Sequence, residues 1–168
     1  MKEEEWKKST SAKEMLSFLR EERPRFFKSQ VRELQQFLVA CCWKNEDLLV
    51  DKNSRDAVRN AERYLDGEID EKELYRLDWY AEAAVFGILY AESLERIDEL
   101  KSLIEGVERV RGLPFETARE TLLEAAYLAD YTLIYPGIHN QHWVMKVFNE
   151  KFTSADLLRE HVRPFSAE

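Results

Sequence analysis

His139 and His142 stand three residues apart, and His161 is the remaining histidine of the chain. Two imidazoles on one helical turn can face a common metal ion, and with a third ligand they would leave the open coordination position that a bundle-type hydrolase uses. No carboxylate or thiol stands at a fixed spacing to complete that set, and His-x-x-His is a weaker pattern than His-Glu-x-x-His. A metal-binding helical-bundle enzyme built on His139 and His142, with His161 as a candidate third ligand, is therefore the alternative reading. The adjacent pair Cys41-Cys42 offers a second chemistry, a thiolate activated by nearby Arg and Lys. Cys41 falls on the apolar stripe of Leu34 and Leu38, where a thiol packs as a small hydrophobe. Cys42, beside Trp43, is the more exposed of the two in this reading. Neighbouring helical residues diverge by about 100 degrees, which disfavours a bridge between them.

A third pattern, Glu62 to Glu73, imitates a calcium loop, with Gly67 at its sixth position, Ile69 at its eighth and Glu73 at its twelfth. The first and third positions hold Glu62 and the phenol Tyr64 where Asp and another oxygen ligand are needed, so too few carboxylates remain to wrap the ion. A helix ended by Gly67 and another capped by Asp70 accounts for the same residues. Carboxylate pairs such as Glu116 and Glu120 are abundant and read as solvated helix faces. No nucleophile, metal cage or phosphate loop is assembled, and no cofactor is implied.

Aromatic residues suggest binding instead. Tyr127, Tyr131 and Tyr135 recur every fourth residue, with Trp143 beyond the next turn. Tyr and Trp supply much of the energy of protein interfaces, so this face is the candidate interaction surface; a half-buried edge of the bundle with its hydroxyls reaching water accounts for the same row at least as well. The run Trp79 to Gly87 is apolar or small on nearly every side, as expected of a core helix surrounded by others; a pocket lined by Trp79, Tyr80, Phe86 and Tyr90 is its functional counterpart.

The elements that must position these groups are helices. Ser11-x-x-Glu14 is a capping box opening a helix with Met15, Phe18 and Leu19 on one face, which stops before Pro24. Val31, Leu34, Leu38 and Cys41 set the inner face of a helix over 29–43. Asn53 or Ser54 caps the next, with Ala57, Val58, Ala61, Tyr64 and Leu65 inward and Gly67 as a left-handed C-cap. From Asp70 an apolar row runs in steps of three and four from Leu74 to Val107. One helix of that length would reach about 60 Å, too long for a domain of this size, so a break is expected near Ala91 to Leu94. Phe115 to Ala129 forms a further helix ending before Pro136-Gly137, and short helices at 140–150 and 154–161 close the chain. No segment alternates with strand period.

The chain has 168 residues, 45% apolar and 35% charged, with only five Gly and four Pro, a mixture suited to packed amphipathic helices in one domain, 1–168. A net charge of −8 argues against nucleic-acid binding, which needs cations to neutralise phosphates. The basic cluster Arg20, Arg23, Arg25, Lys28 and Arg32, interleaved with Phe26 and Phe27, is offset by Glu21, Glu22 and Glu33. The charged residues of the N-terminal segment precede no apolar run of signal-peptide or membrane-span length, which places the protein in the cytoplasm without a membrane partner.

Glu5-Trp6, Met15-Leu16-Ser17-Phe18-Leu19-Arg20, Ala40-Cys41-Cys42, Ser54-Arg55-Asp56-Ala57-Val58, Ala61-Glu62-Arg63-Tyr64-Leu65-Asp66-Gly67 and the closing Leu157-Leu158-Arg159 with Pro164-Phe165 together resemble an uncharacterised helical family multiplied in planctomycete bacteria. The likeness covers the first seventy residues and, loosely, the last dozen. The chain departs from it at Trp43-Lys44, where the family has Arg-Arg, and at His161-Val162-Arg163, where it has Gly-Asn before Pro-Phe. The resemblance implies a helical fold and a bacterial origin and carries no activity, cofactor or site.

The expectation is thus an all-α bundle of about seven to eight helices serving as a non-enzymatic protein-interaction or accessory module, its partner a protein. A homodimer through the long apolar row remains open.

Overall fold

Pro136 is where the fold departs most instructively from its sequence pattern. In the computed structural model, which describes residues 1–166, the helix expected to end before Pro136 runs on through it, from Phe115 to Ile138. Proline lacks the N–H that would bond the carbonyl four residues back. That carbonyl, on Thr132, accepts instead from the Gln35 side chain at 2.9 Å, and Gln35 is buried. The defect in one helix is repaired by a polar side chain from another.

The described residues form ten α-helices and two short 3₁₀ turns, and no strand occurs among them. In chain order they are α1 (Glu3–Lys8), α2 (Ala12–Glu22), α3 (Pro24–Ser29), α4 (Val31–Lys44), α5 (Lys52–Leu65), α6 (Glu71–Arg76), α7 (Asp78–Leu89), α8 (Ile97–Glu105), α9 (Phe115–Ile138) and α10 (Ala155–His161). The all-α expectation holds, and short α1, α3 and α6 account for helices beyond the expected number. Helix α9 is the axis, with α4, α5, α6, α7 and α8 packed around it. It buries residues on all sides, including Leu122, Ala126, Leu128, Leu133 and Tyr135. One cluster of buried apolar side chains extends from Trp6 to Val162. A smaller one joins Ala57, Leu74, Ala81 and Leu133 where α5, α6, α7 and α9 meet.

Local signals place most boundaries. Ser11, Asp70 and Ser154 cap α2, α6 and α10 through their side chains. Gly67 at φ 77° ends α5 as expected, with Glu68 N–H bonded to the Arg63 carbonyl and Gly67 N–H to that of Tyr64. The break foreseen near Ala91 to Leu94 is a turn between Leu89 and Ile97 in which Glu95 adopts φ 56°. Two expectations need correction. Helix α5 is capped by Asp51, whose carboxylate accepts from Asn53 N–H at 2.8 Å, rather than by Asn53 or Ser54. The segment 140–150 holds only a 3₁₀ turn, Val144–Val147.

The chain ends are clasped together. Arg159 of α10 donates to the carbonyls of Trp6 and Ser9 at 3.0 and 2.7 Å, and Arg23 donates to the Pro164 carbonyl. Phe165 stacks on Phe18 at 6.0 Å and meets Trp6 edge-on.

Candidate interaction surface

Helix α7 shows two faces of nearly equal apolarity. Ala81, Ala84, Val85 and Ile88 point inward and are buried against α5 and α9. The opposite stripe, Trp79, Ala83, Phe86 and Tyr90, follows the spacing of one helix face and lies in solvent. Trp79 is 75% exposed, Tyr90 51% and Phe86 44%, with Tyr80 beside them at 53%. Phe86 and Tyr90 touch, their centroids 5.7 Å apart. Leu94 continues the stripe in the following turn and is also exposed, while Tyr75, at its other end, lies over Gly137 of α9 and donates to Glu71 at 2.6 Å. A Cβ at position 137 would meet the Tyr75 hydroxyl at 2.9 Å, so glycine is what admits that ring.

The aromatic run was expected to be a core helix; it is covered on one side only. Both α7 and the second half of α9, 125–138, are apolar on nearly every side, and one of them takes the centre. Helix α9, with 24 residues, occupies that place, and α7, with 12, is left at the surface. Nor do Trp79, Tyr80, Phe86 and Tyr90 enclose a pocket; they form a convex ridge.

Behind the ridge, Asp130 of α9 is buried beside Asp78 at the start of α7, with Glu82 close by, and Oδ1 of each aspartate is buried without a hydrogen-bond partner. Burial, then the neighbouring Asp78 carboxyl, pushes the Asp130 pKa up to about 8. No cation is among the groups acting on Asp130.

The tyrosine row takes the second of its two expected places, a half-buried edge of the bundle. Tyr127 and Tyr131 stack at 6.0 Å, and Tyr131 meets Trp143 at 6.5 Å; all three are half-buried along the edge of α9. Tyr135 is wholly buried, so it offers nothing to a partner. Its hydroxyl is 2.9 Å from Nδ1 of His139, whose ring lies flat on Phe27 at 5.0 Å. Burial depresses the His139 pKa, opposed by the main chain of Lys28 and Phe27.

The three histidines do not converge. His139 is inside, His142 is exposed with its carbonyl accepting from Arg20 at 2.7 Å, and His161 lines a groove beside Trp43. Among the described residues no three His, Cys, Asp or Glu side chains are grouped so as to hold a metal ion. Cys41 and Cys42 are free thiols, both wholly buried, which corrects the expectation that Cys42 is the exposed one. Burial pushes the Cys41 thiol up to about 12 and raises Cys42 further from reactivity.

The groove by His161, of about 680 Å³, runs between α4 and α5 and is lined by Val39, Trp43, Arg59 and Glu62. Four of its polar side chains are already engaged. The Trp43 indole donates to Glu62 at 2.9 Å, Arg59 lies over the Trp43 ring and pairs with Asp56, and Arg63 pairs with Glu68.

Among the described residues no helix is long and apolar enough to cross a membrane. Compared with protein-family models, curated proteins and solved structures, the chain finds no match.

Proposed function

We propose that this protein is a non-enzymatic, cytoplasmic protein-interaction module whose working surface is the outer face of α7. The observation that carries this reading is the row Trp79, Phe86 and Tyr90, bare on a helix whose opposite face is core. A bare aromatic side chain holds apolar area out of solvent contact only when something covers it, and soluble chains seldom leave several in one row without a partner. Trp and Tyr are also the residues that anchor interfaces at low entropic cost. The remaining candidates for chemistry support it by being occupied: thiols sealed in the core, His139 bonded to Tyr135, the groove's cations paired.

The test is affinity capture from cells, comparing the wild type with Trp79→Glu/Phe86→Glu and with Arg63→Glu in the distant groove. Bound protein, whether other chains or further copies of this one, should disappear with the α7 substitutions and survive Arg63→Glu. Unchanged capture by the α7 variant would contradict the assignment of this surface.

A further inference from the structure

We infer that the partner of the α7 ridge is a basic amphipathic segment of another protein, which lays apolar side chains on the aromatic row and Lys or Arg beside them. The inference rests on the reading of α7 as an interaction surface and gives its partner a chemistry. Two observations carry it.

The first is where the charge lies. Residues 66–99, which run from the end of α5 to the start of α8 and include α6 and α7, hold 11 acidic and 3 basic residues, whereas the other 134 residues balance at 22 of each. The whole net charge of −8 therefore belongs to the segment that carries the ridge. Within it Arg76 is taken up by Glu73, and Arg96, which reaches the flank of α7 at Gly87, is taken up by Glu99. Arg119 of α9 pairs with Glu92. Glu71, Glu82, Glu95 and Asp98 are left without an ion pair among the described residues, and all but Glu82 are exposed. Glu82 stands within one turn of both Trp79 and Phe86, and Glu95 follows Leu94 at the other end of the row. A surface of this sign draws a cationic partner and repels a second copy, an anionic membrane or a nucleic acid, each of which brings more negative charge.

The second is the chemistry of the rings. Trp79, Tyr80, Phe86 and Tyr90 are exposed aromatics, whose faces attract cations as well as apolar groups. Elsewhere the chain's own cations take such faces: Arg59 lies over Trp43, Arg23 over Phe26 and Phe165, and Lys101 over Phe115, at 5.1 to 5.8 Å. Among the described residues no cation lies over a ring of the ridge, because the two arginines nearest in sequence are held by carboxylates. A Lys or Arg from a partner serves both needs at once, its stem lying along a ring and its charged head reaching an unpaired acid.

A synthetic helix with one Leu face and one Lys face, about 18 residues and so about 27 Å long, is the probe, beside a counterpart with Glu in place of Lys. By fluorescence anisotropy with the full chain, the Lys peptide should bind at least about tenfold more tightly than the Glu peptide and weaken at least about tenfold as salt rises from about 0.05 to 0.5 M. Glu82→Gln/Glu95→Gln should weaken it about tenfold with helical circular dichroism unchanged, while Glu21→Gln/Glu160→Gln, which removes the same charge from α2 and α10, leaves it as it was. In cells, a photo-crosslinking phenylalanine at position 83, in the middle of the row, should join to a segment of another protein with net positive charge. Equal losses from the two charge-matched pairs overturn the inference, since attraction would then follow net charge alone. A Lys peptide bound no better than the Glu peptide, or a crosslink to a neutral or acidic segment or to the chain itself, overturns the basic partner and leaves the interaction module standing. No crosslink to any protein overturns both.

Discussion

Asp130 on α9 and His139 just past its C-terminal end pull stability in opposite directions with pH. Below about pH 4 the Asp130 carboxyl is protonated in both folded and unfolded chains; as pH rises toward its folded value of about 8, the unfolded chain releases the proton and the folded one keeps it. Its contribution is therefore full in acid and lost between about pH 4 and 8. His139 behaves the other way, because its folded pKa lies below 6.5 and acidification protonates the unfolded chain first. Asp130→Asn, which keeps the shape and removes the charge, should match the wild type near pH 4 and exceed it at pH 8 by on the order of 2 kcal/mol in denaturant unfolding. An equal effect at both pH values would show that the folded chain does not hold the Asp130 proton to higher pH than the unfolded one. Cys41 and Cys42 give a companion test: neither should react with a thiol reagent until the protein unfolds, since both are sealed in the core. The sequence placed Cys41 correctly from its three-four spacing but not Cys42, whose outward side is closed by long-range packing that no local pattern encodes.

At the scale of elements, boundaries governed by neighbours in sequence were legible and those governed by distant residues were not. Ser11, Asp70 and Gly67 act through backbone groups two to five residues away, and each was readable. The continuation of α9 through Pro136 was not, because its cause is Gln35 on α4, 97 positions from the Thr132 carbonyl it satisfies. That arrangement yields a coupled prediction. Gln35→Met, of similar volume, leaves the Thr132 carbonyl unpaired and should cost about 1–2 kcal/mol of stability. In a Pro136→Ala background the restored N–H can serve the same carbonyl, so the cost should shrink, and a double-mutant cycle by chemical denaturation measures the difference. Additive losses would mean that Gln35 acts by packing alone. Gly67→Ala, which forces a side chain into φ 77°, should cost about 1 kcal/mol for the same local reason that made the position readable.

For the whole molecule, residues mostly far apart in sequence close the fold. Trp6, Phe18 and Phe165 interlock the two chain ends, Arg159 ties α10 to the α1–α2 turn, and Arg55 donates to the Leu49 carbonyl ahead of α5. The ridge on α7 takes no part in that closure. Its composition was readable as an all-round apolar helix; its exposure was not, because periodicity reports which residues can be buried and not how many neighbours arrive to bury them. Two helices competed for the centre of the bundle, and α9 won by length.

An α7 ridge that serves as an interaction surface is covered when the protein works. Oxidative footprinting of Trp79 and Tyr90 in living cells, against the same purified chain at high dilution, measures that cover directly. Modification of both rings should fall several-fold in cells, while half-buried Trp43 in the distant groove reacts equally in the two settings. Trp79 and Tyr90 as reactive in cells as in dilute solution would contradict the account.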